Sequence, residues 1–205
     1  MDSIDKLTEI FKSFPGIGPR QAKRFVYFLL TRNRNYLREF TSLVNELQNE
    51  IIICQECFRY FTKGKQVTPL CDICGSKNRD ENVLMIVARD IDLENIEKSH
   101  YFNGKYFVLG GTVPILDKNP ETKIHLNELL KTVEKKAEKE LKEIILGFSV
   151  NPESEYTADF IIQALNPLIT KYNLKISHLG RGLSTGTELE YSDTDTIKNA
   201  LKNRS

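Results

Sequence analysis

Four cysteines stand in two close pairs, Cys54-x2-Cys57 and Cys71-x2-Cys74, with thirteen residues between the pairs. Each pair can grip one side of a tetrahedral ion with sulfur about 2.3 Å from the metal, so the spacing predicts one zinc site. Four thiolates would fill the coordination sphere and leave no position for a reacting water, which makes the expected role structural. Four buried or redox-active cysteines, or an iron–sulfur ligand set, are the alternatives at this spacing. A second chemistry-bearing stretch is Phe14-Pro15-Gly16-Ile17-Gly18-Pro19-Arg20-Gln21-Ala22. Gly16 and Gly18 would let a phosphate approach the backbone, at the start of a helix whose first amides point outward. Arg20, Lys23 and Arg24 follow at once on the side away from the apolar positions. These five residues are the predicted DNA contacts, and they would read the phosphate backbone rather than the bases.

Charge placement agrees. The 205 residues carry a net charge of +1, from 29 basic and 28 acidic side chains. From Phe11 to Arg38 there are seven basic residues and no acid, and the rest of the chain holds 22 basic and 28 acidic. An ordinary solvated helix face mixes signs to gain spaced ion pairs, so a window without acids fits a phosphate-facing surface better.

The elements that must position these residues are legible from periodicity. Ile4, Leu7, Ile10, Phe11 and Phe14 fall at helical spacing before the Pro-Gly turn, and Ala22, Phe25, Val26, Leu29 and Leu30 line a second helix begun by Pro19. Tyr36, Leu37, Phe40, Leu43, Val44, Leu47 and Ile51 form the stripe of a third, and the three are expected to make a compact head. Beyond the cysteines, strands are predicted at Val83–Ala88, Lys105–Gly110, Glu143–Val150 and Leu174–Leu179. Helices at Leu93–Ser99, Ile124–Glu140 and Ser154–Lys171 alternate with them, and a last helix is expected near Asp195–Lys202, the pattern of a mainly parallel sheet. Asp92 is placed to cap the helix at Leu93, while Asp90 has no evident structural role. His100, His125 and His178 stand apart and read as ordinary surface or core residues. Composition is globular, with 40% apolar and 28% charged residues, and no apolar run is long enough to span a bilayer. The opening MDSIDKLTEIF has acids and no basic start, so no secretory signal is expected and the expected compartment is cytoplasmic.

With the hairpin, the cysteines and an α/β half in that order, the chain resembles the RecR family of bacterial recombination mediators. The resemblance covers essentially the whole chain. It includes Asn78-Arg79-Asp80, the segment Gly104-Lys105-Tyr106-Phe107-Val108-Leu109-Gly110-Gly111 with Pro114 and Leu116-Asp117, and the tail from Arg181 to Tyr191. It implies an α/β protein in several parts: a helix-hairpin-helix head (1–53), a four-cysteine zinc module (54–78), a Toprim domain (79–175), and a C-terminal tail with a Walker B-like segment and helix (176–205). It also implies a homo-oligomer, dimer or tetramer, that closes as a ring on DNA and acts with RecO, and possibly RecF, to load RecA at gaps. Toprim enzymes hold magnesium with a glutamate at the end of the first strand and a later pair of acids. Here the first strand runs into Ala88-Arg89-Asp90, so that glutamate is missing, whereas Glu153 and Glu155 match the pair. These two are assigned to partner binding, beside a plainer role as acids at a helix start. A non-enzymatic mediator is therefore expected. The alternative is a divergent Toprim metal-dependent nuclease or primase-like enzyme using Asp90, Glu153 and Glu155. The apolar-acidic Glu188–Tyr191 has no Gly-x4-Gly-Lys-Ser/Thr loop to accompany it, so autonomous ATP binding is not expected.

Overall fold

The computed structural model describes residues 1–64, 68–115, 119–180, 186, 188–192 and 194–202. Leu116-Asp117 and most of the tail from Arg181 to Thr187 lie outside the described residues. The chain divides into two compact units, Met1–Ile51 and Ile52–Ser205.

The first unit is three helices, α1 (Ser3–Lys12), α2 (Pro19–Leu30) and α3 (Arg34–Glu50). Asp2 caps α1 by accepting from the Asp5 amide at 2.8 Å, and Asn33 caps α3 by accepting from Tyr36 at 2.9 Å. Gly18 opens α2 with no side-chain cap, and Pro19 takes the first helical position. Phe11, Ala22 and Val26 are the buried core, packed by Ile4, Ile17, Phe25 and Leu29. The core thus comes from α1 and α2 alone. The three helices form the expected compact unit, with Tyr36 of α3 against Phe28 of α2 at 6.3 Å, yet α3 buries no residue, and Leu43, Val44 and Leu47 are 55%, 49% and 61% exposed. An amphipathic stripe says that a helix face is apolar, not that its covering lies in the same chain.

In the second unit β1 (Ile51–Ile53) pairs with β2 (Tyr60–Thr62), and the one-turn helix α4 (Asp72–Gly75) follows. Then come β3 (Asp80–Val87), α5 (Asp90–Ser99), β4 (Gly104–Val108), α6 (Leu126–Ala137), β5 (Glu143–Gly147), α7 (Pro152–Tyr172), β6 (Lys175–His178) and α8 (Thr194–Lys202). The four later strands form one sheet in the order β4-β3-β5-β6, and every pairing is parallel. This is the mixed α/β architecture that the alternation of elements predicts, and it is Toprim-like, as the resemblance implies. Strand ends differ by a few residues for local reasons. β4 stops short of Gly110, whose φ of +90° leaves the extended region, and β5 stops at Gly147 before the exposed Val150 and the cap residue Asn151.

Side-chain alternation splits the sheet into two cores. Leu84, Ile86, Phe107, Ile144 and Leu146 face Leu129 and Val133 of α6 and Ile161 and Leu165 of α7. Met85, Val87, Tyr106 and Val108 face the other way and pack with Leu93 of α5 and with Cys54, Cys57, Cys71 and Ile73. The cysteine segment therefore completes one side of the sheet's own core.

Candidate metal centre and nucleic-acid interface

The four cysteine sulfurs lie within 4.8 Å of one another, and those of Cys57 and Cys71 are 3.6 Å apart. Sulfurs at the corners of a tetrahedron about 2.3 Å from its centre would be about 3.8 Å apart, so the donor set fits one tetrahedral ion. Each pair sits in a tight turn that brings its two thiols together. The Phe58 amide donates to the Cys54 carbonyl at 3.0 Å, and the Gly75 amide to the Cys71 carbonyl at 2.9 Å. Cys71 N donates to the sulfur of Cys54 at 3.4 Å, and Cys74 N to that of Cys71 at 3.5 Å, which favours the thiolate form. Crowding splits the proton affinities. Hydrogen bonds from Cys57, Cys71 and Cys74 hold the Cys54 thiol far below its ordinary range, while contact with Cys54 first, then Cys57 and Cys71, pushes Cys74 far up. Four such groups can ionise together only around a cation, and binding one must release protons.

The first turn also wraps the edge of the sheet. Cys57 is buried on one side of β4, yet Phe58, at φ 62°, carries its ring against Phe107 at 5.3 Å and His125 at 5.0 Å. Left-handed backbone at a non-glycine residue is costly and is sustained here by that aromatic packing. Asp90 does have a structural role, since its Oδ1 accepts from the Tyr60 amide at 2.8 Å and so ties β2 to the start of α5. Asp92 is likewise no N-cap for a helix at Leu93. The helix begins at Asp90, and Asp92 reaches back to accept from the Arg89 amide at 3.0 Å.

Glu153 and Glu155 occupy the first turn of α7, behind the Asn151 cap, and the Glu153 carboxylate accepts from the Thr112 hydroxyl. Glu153 also lines a crevice of about 330 Å³ with Ala88, Arg89, Ile91, Asp92, Thr112, Ser149 and Asn151. The crevice lies beyond the carboxyl ends of β3 and β5, where the strand order reverses, the usual ligand position in an open parallel sheet. Ala88 and Arg89 follow directly on the carboxyl end of β3, so no acid stands at that strand end. Among the described residues, the only group of three or more Cys, His, Asp or Glu close enough to share an ion is the cysteine set. Asp90, Glu153 and Glu155 do not gather into one. His100 ends α5 with φ 58°, His125 places Nδ1 3.2 Å from the Val108 carbonyl, and His178 ends β6.

In the helical unit, Gly16 has φ +76°, which a residue with a Cβ adopts at a cost, and Gly18 has φ −82°. A Cβ at either would meet nothing within 4 Å. Arg20, Lys23 and Arg24 are all exposed on α2, Arg24 hydrogen-bonding to Gln21 at 3.4 Å. Two other basic residues of the acid-free window are engaged locally. Lys12 pairs with Glu9 at 2.9 Å, and the Arg32 guanidinium stacks on Phe28 at 3.9 Å.

The structure is thus a helix-hairpin-helix protein with a four-cysteine centre built onto a Toprim-like α/β domain. Residues 4–48 match the family described as RecR, helix-hairpin-helix. The whole chain is 35% identical over 204 residues to the recombination protein RecR of Legionella pneumophila (strain Corby), covering 100% of this chain and 98% of that protein. It is 33% identical to recombination protein RecR of Prochlorococcus marinus (strain MIT 9515), over 98% of this chain and 94% of the relative. Recombination protein RecR of Brachyspira hyodysenteriae is 30% identical over 100% of this chain and 96% of its own length. The chain belongs to the RecR family of recombination proteins.

Proposed function

We propose that this protein is a DNA-binding recombination mediator that acts without catalysis, holding DNA by its phosphates while partner proteins are assembled on it. The observation that carries the reading is the hairpin. Gly16 and Gly18 face open space immediately before exposed Arg20, Lys23 and Arg24, in a stretch free of acids. Contacts of that kind are sequence-independent and steeply salt-sensitive.

The cysteine centre holds one structural zinc, a reading supported by four thiols within 4.8 Å of one another, those of Cys54, Cys57 and Cys71 on buried residues and Cys74 partly buried. The uncovered apolar stripe of α3 supports self-association into a dimer or tetramer that rings DNA. Glu153, at the rim of the crevice beside exposed Ile91, supports a partner surface there together with Glu155, for a RecO-like protein and, with it, RecF and RecA at gaps. The working division is 1–53, 54–78, 79–175 and 176–205. A role on DNA places the protein's site of action in the cytoplasm; among the described residues no helix is long and apolar enough to cross a membrane.

Gel shifts of Arg20→Glu/Arg24→Glu on gapped, duplex and unrelated sequences test the DNA reading. Affinity should fall alike on all of them, and the slope of log affinity against log salt should shrink by about two. Unchanged affinity at moderate salt would refute it.

A further inference from the structure

Lys105 lies in β4 between Gly104 and Tyr106, and the whole strand is buried. Only 2% of its surface is exposed. A cation in that position is costly unless every proton is satisfied. Its Nζ donates to the carbonyls of Ile73 at 3.1 Å, Cys74 at 2.9 Å and Ser76 at 3.0 Å, and stands 3.1 Å from a Glu81 carboxylate oxygen. Four acceptors thus surround an ammonium with three protons, and three of the four are these carbonyls. They belong to the turn that carries Cys71 and Cys74, with Cys74 itself one of the acceptors.

Within the sheet the charge meets one partner, Glu81 of β3, which is half exposed. The neighbours of Lys105 along the strand are Tyr106, Phe107 and Val108, all at most 1% exposed, and an apolar side chain would suit the same place. Four thiolates around a divalent ion leave a net charge of minus two, and a buried ammonium held against the carbonyls of the Cys71–Cys74 turn offsets part of it. It also fixes the carbonyl ends of the turn, so that the turn cannot open to let the ion go. Groups that orient metal ligands in this way normally change affinity strongly when removed.

We propose that Lys105 is a metal-positioning residue, the counter-ion and latch of the four-cysteine centre, which keeps its ion from being lost to competing chelators. The proposal rests on the reading of that centre as a zinc site. Glu81 bridges Lys105 and Lys136, the latter at 3.0 Å, so it dilutes the charge of Lys105 and does not assist it toward the metal.

The test uses the full-length protein. Zinc content is measured first in the unmodified chain, and competition with a chromophoric chelator is then followed for Lys105→Met and Glu81→Gln. Lys105→Met should weaken zinc affinity by about 10- to 100-fold. Its cobalt-loaded form should retain the thiolate-to-cobalt absorption of four sulfur ligands, which separates a loss of affinity from a loss of ligands. Glu81→Gln should bind zinc as well as the unmodified chain or more tightly. Equal affinity in Lys105→Met would overturn the proposal and leave the zinc reading intact, whereas an unmodified chain without stoichiometric zinc would sink both. Should Lys105→Met not fold, weakening of zinc binding by Glu81→Gln still counts against the proposal, because it would make the ion pair, and not the positive charge, the supporting feature.

Discussion

The backbone amide of Val108 donates to the carbonyl of Cys57 at 2.8 Å, so the first cysteine turn is hydrogen-bonded to the outermost strand of the parallel sheet. An edge strand otherwise presents a row of unpaired backbone groups. Lys105, three residues earlier on the same strand, holds the second turn, so β4 carries both halves of the metal centre.

Loss of the metal should therefore be felt by the α/β domain and not by the cysteine segment alone. Cys57→Ser should lack stoichiometric zinc by elemental determination and lose more than about 4 kcal/mol of stability in denaturant titration. A variant with full zinc, or with an unchanged unfolding midpoint, would contradict this coupling.

The two glycines of the hairpin separate folding from binding. Gly16→Ala places a Cβ at φ +76° and should cost about 1–2 kcal/mol. Gly18→Ala, at φ −82° with open space around it, should fold normally yet hinder the close approach of a phosphate. Thermal melts and gel shifts on the pair should show stability lost at the first and DNA affinity lost at the second.

The pH dependence centres on Glu97. Burial raises its proton affinity, but hydrogen bonds from Arg79 and from the Tyr106 hydroxyl at 2.7 Å outweigh this, so it sits below its ordinary value of 4.5. A carboxylate whose folded pKa is depressed contributes fully above the unfolded value, and the contribution drains away as pH falls through the folded one. Glu97→Gln should thus cost about 1–3 kcal/mol at neutral pH. The gap to the unmodified chain should narrow below pH 4.5 in urea titrations, and a gap independent of pH would exclude the charge as its cause.

The exposed stripe of α3 gives a test of assembly. Leu43→Asp/Leu47→Asp alters side chains that are 55% and 61% exposed, so the chain should fold as before. Its mass by light scattering should drop to that of a smaller species, while an unchanged mass would place the oligomer contact elsewhere.

What could be read from residues alone was the local chemistry. Cys-x2-Cys pairs, a Pro-Gly turn before a basic helix, and apolar runs alternating with helical periods each carry their meaning within a few positions, because ligand reach, backbone freedom and amphipathic spacing are short-range properties. The cysteine cluster, the hairpin and the alternation of strands and helices of a parallel sheet are legible for that reason. Tertiary structure decided what depends on register between distant segments. Asp90 meets Tyr60 thirty residues away, and Lys105 meets the carbonyls of a turn about as far back along the chain. A lone lysine at the head of the apolar run Tyr106 to Leu109 is the one local sign that something polar lies opposite, but periodicity cannot say what. Nor can an apolar stripe say whether its partner lies in the same chain. α2 and α3 read alike, yet α2 buries Ala22 and Val26 against α1 while α3 buries nothing, because burial is settled by what packs against a face and not by the face itself.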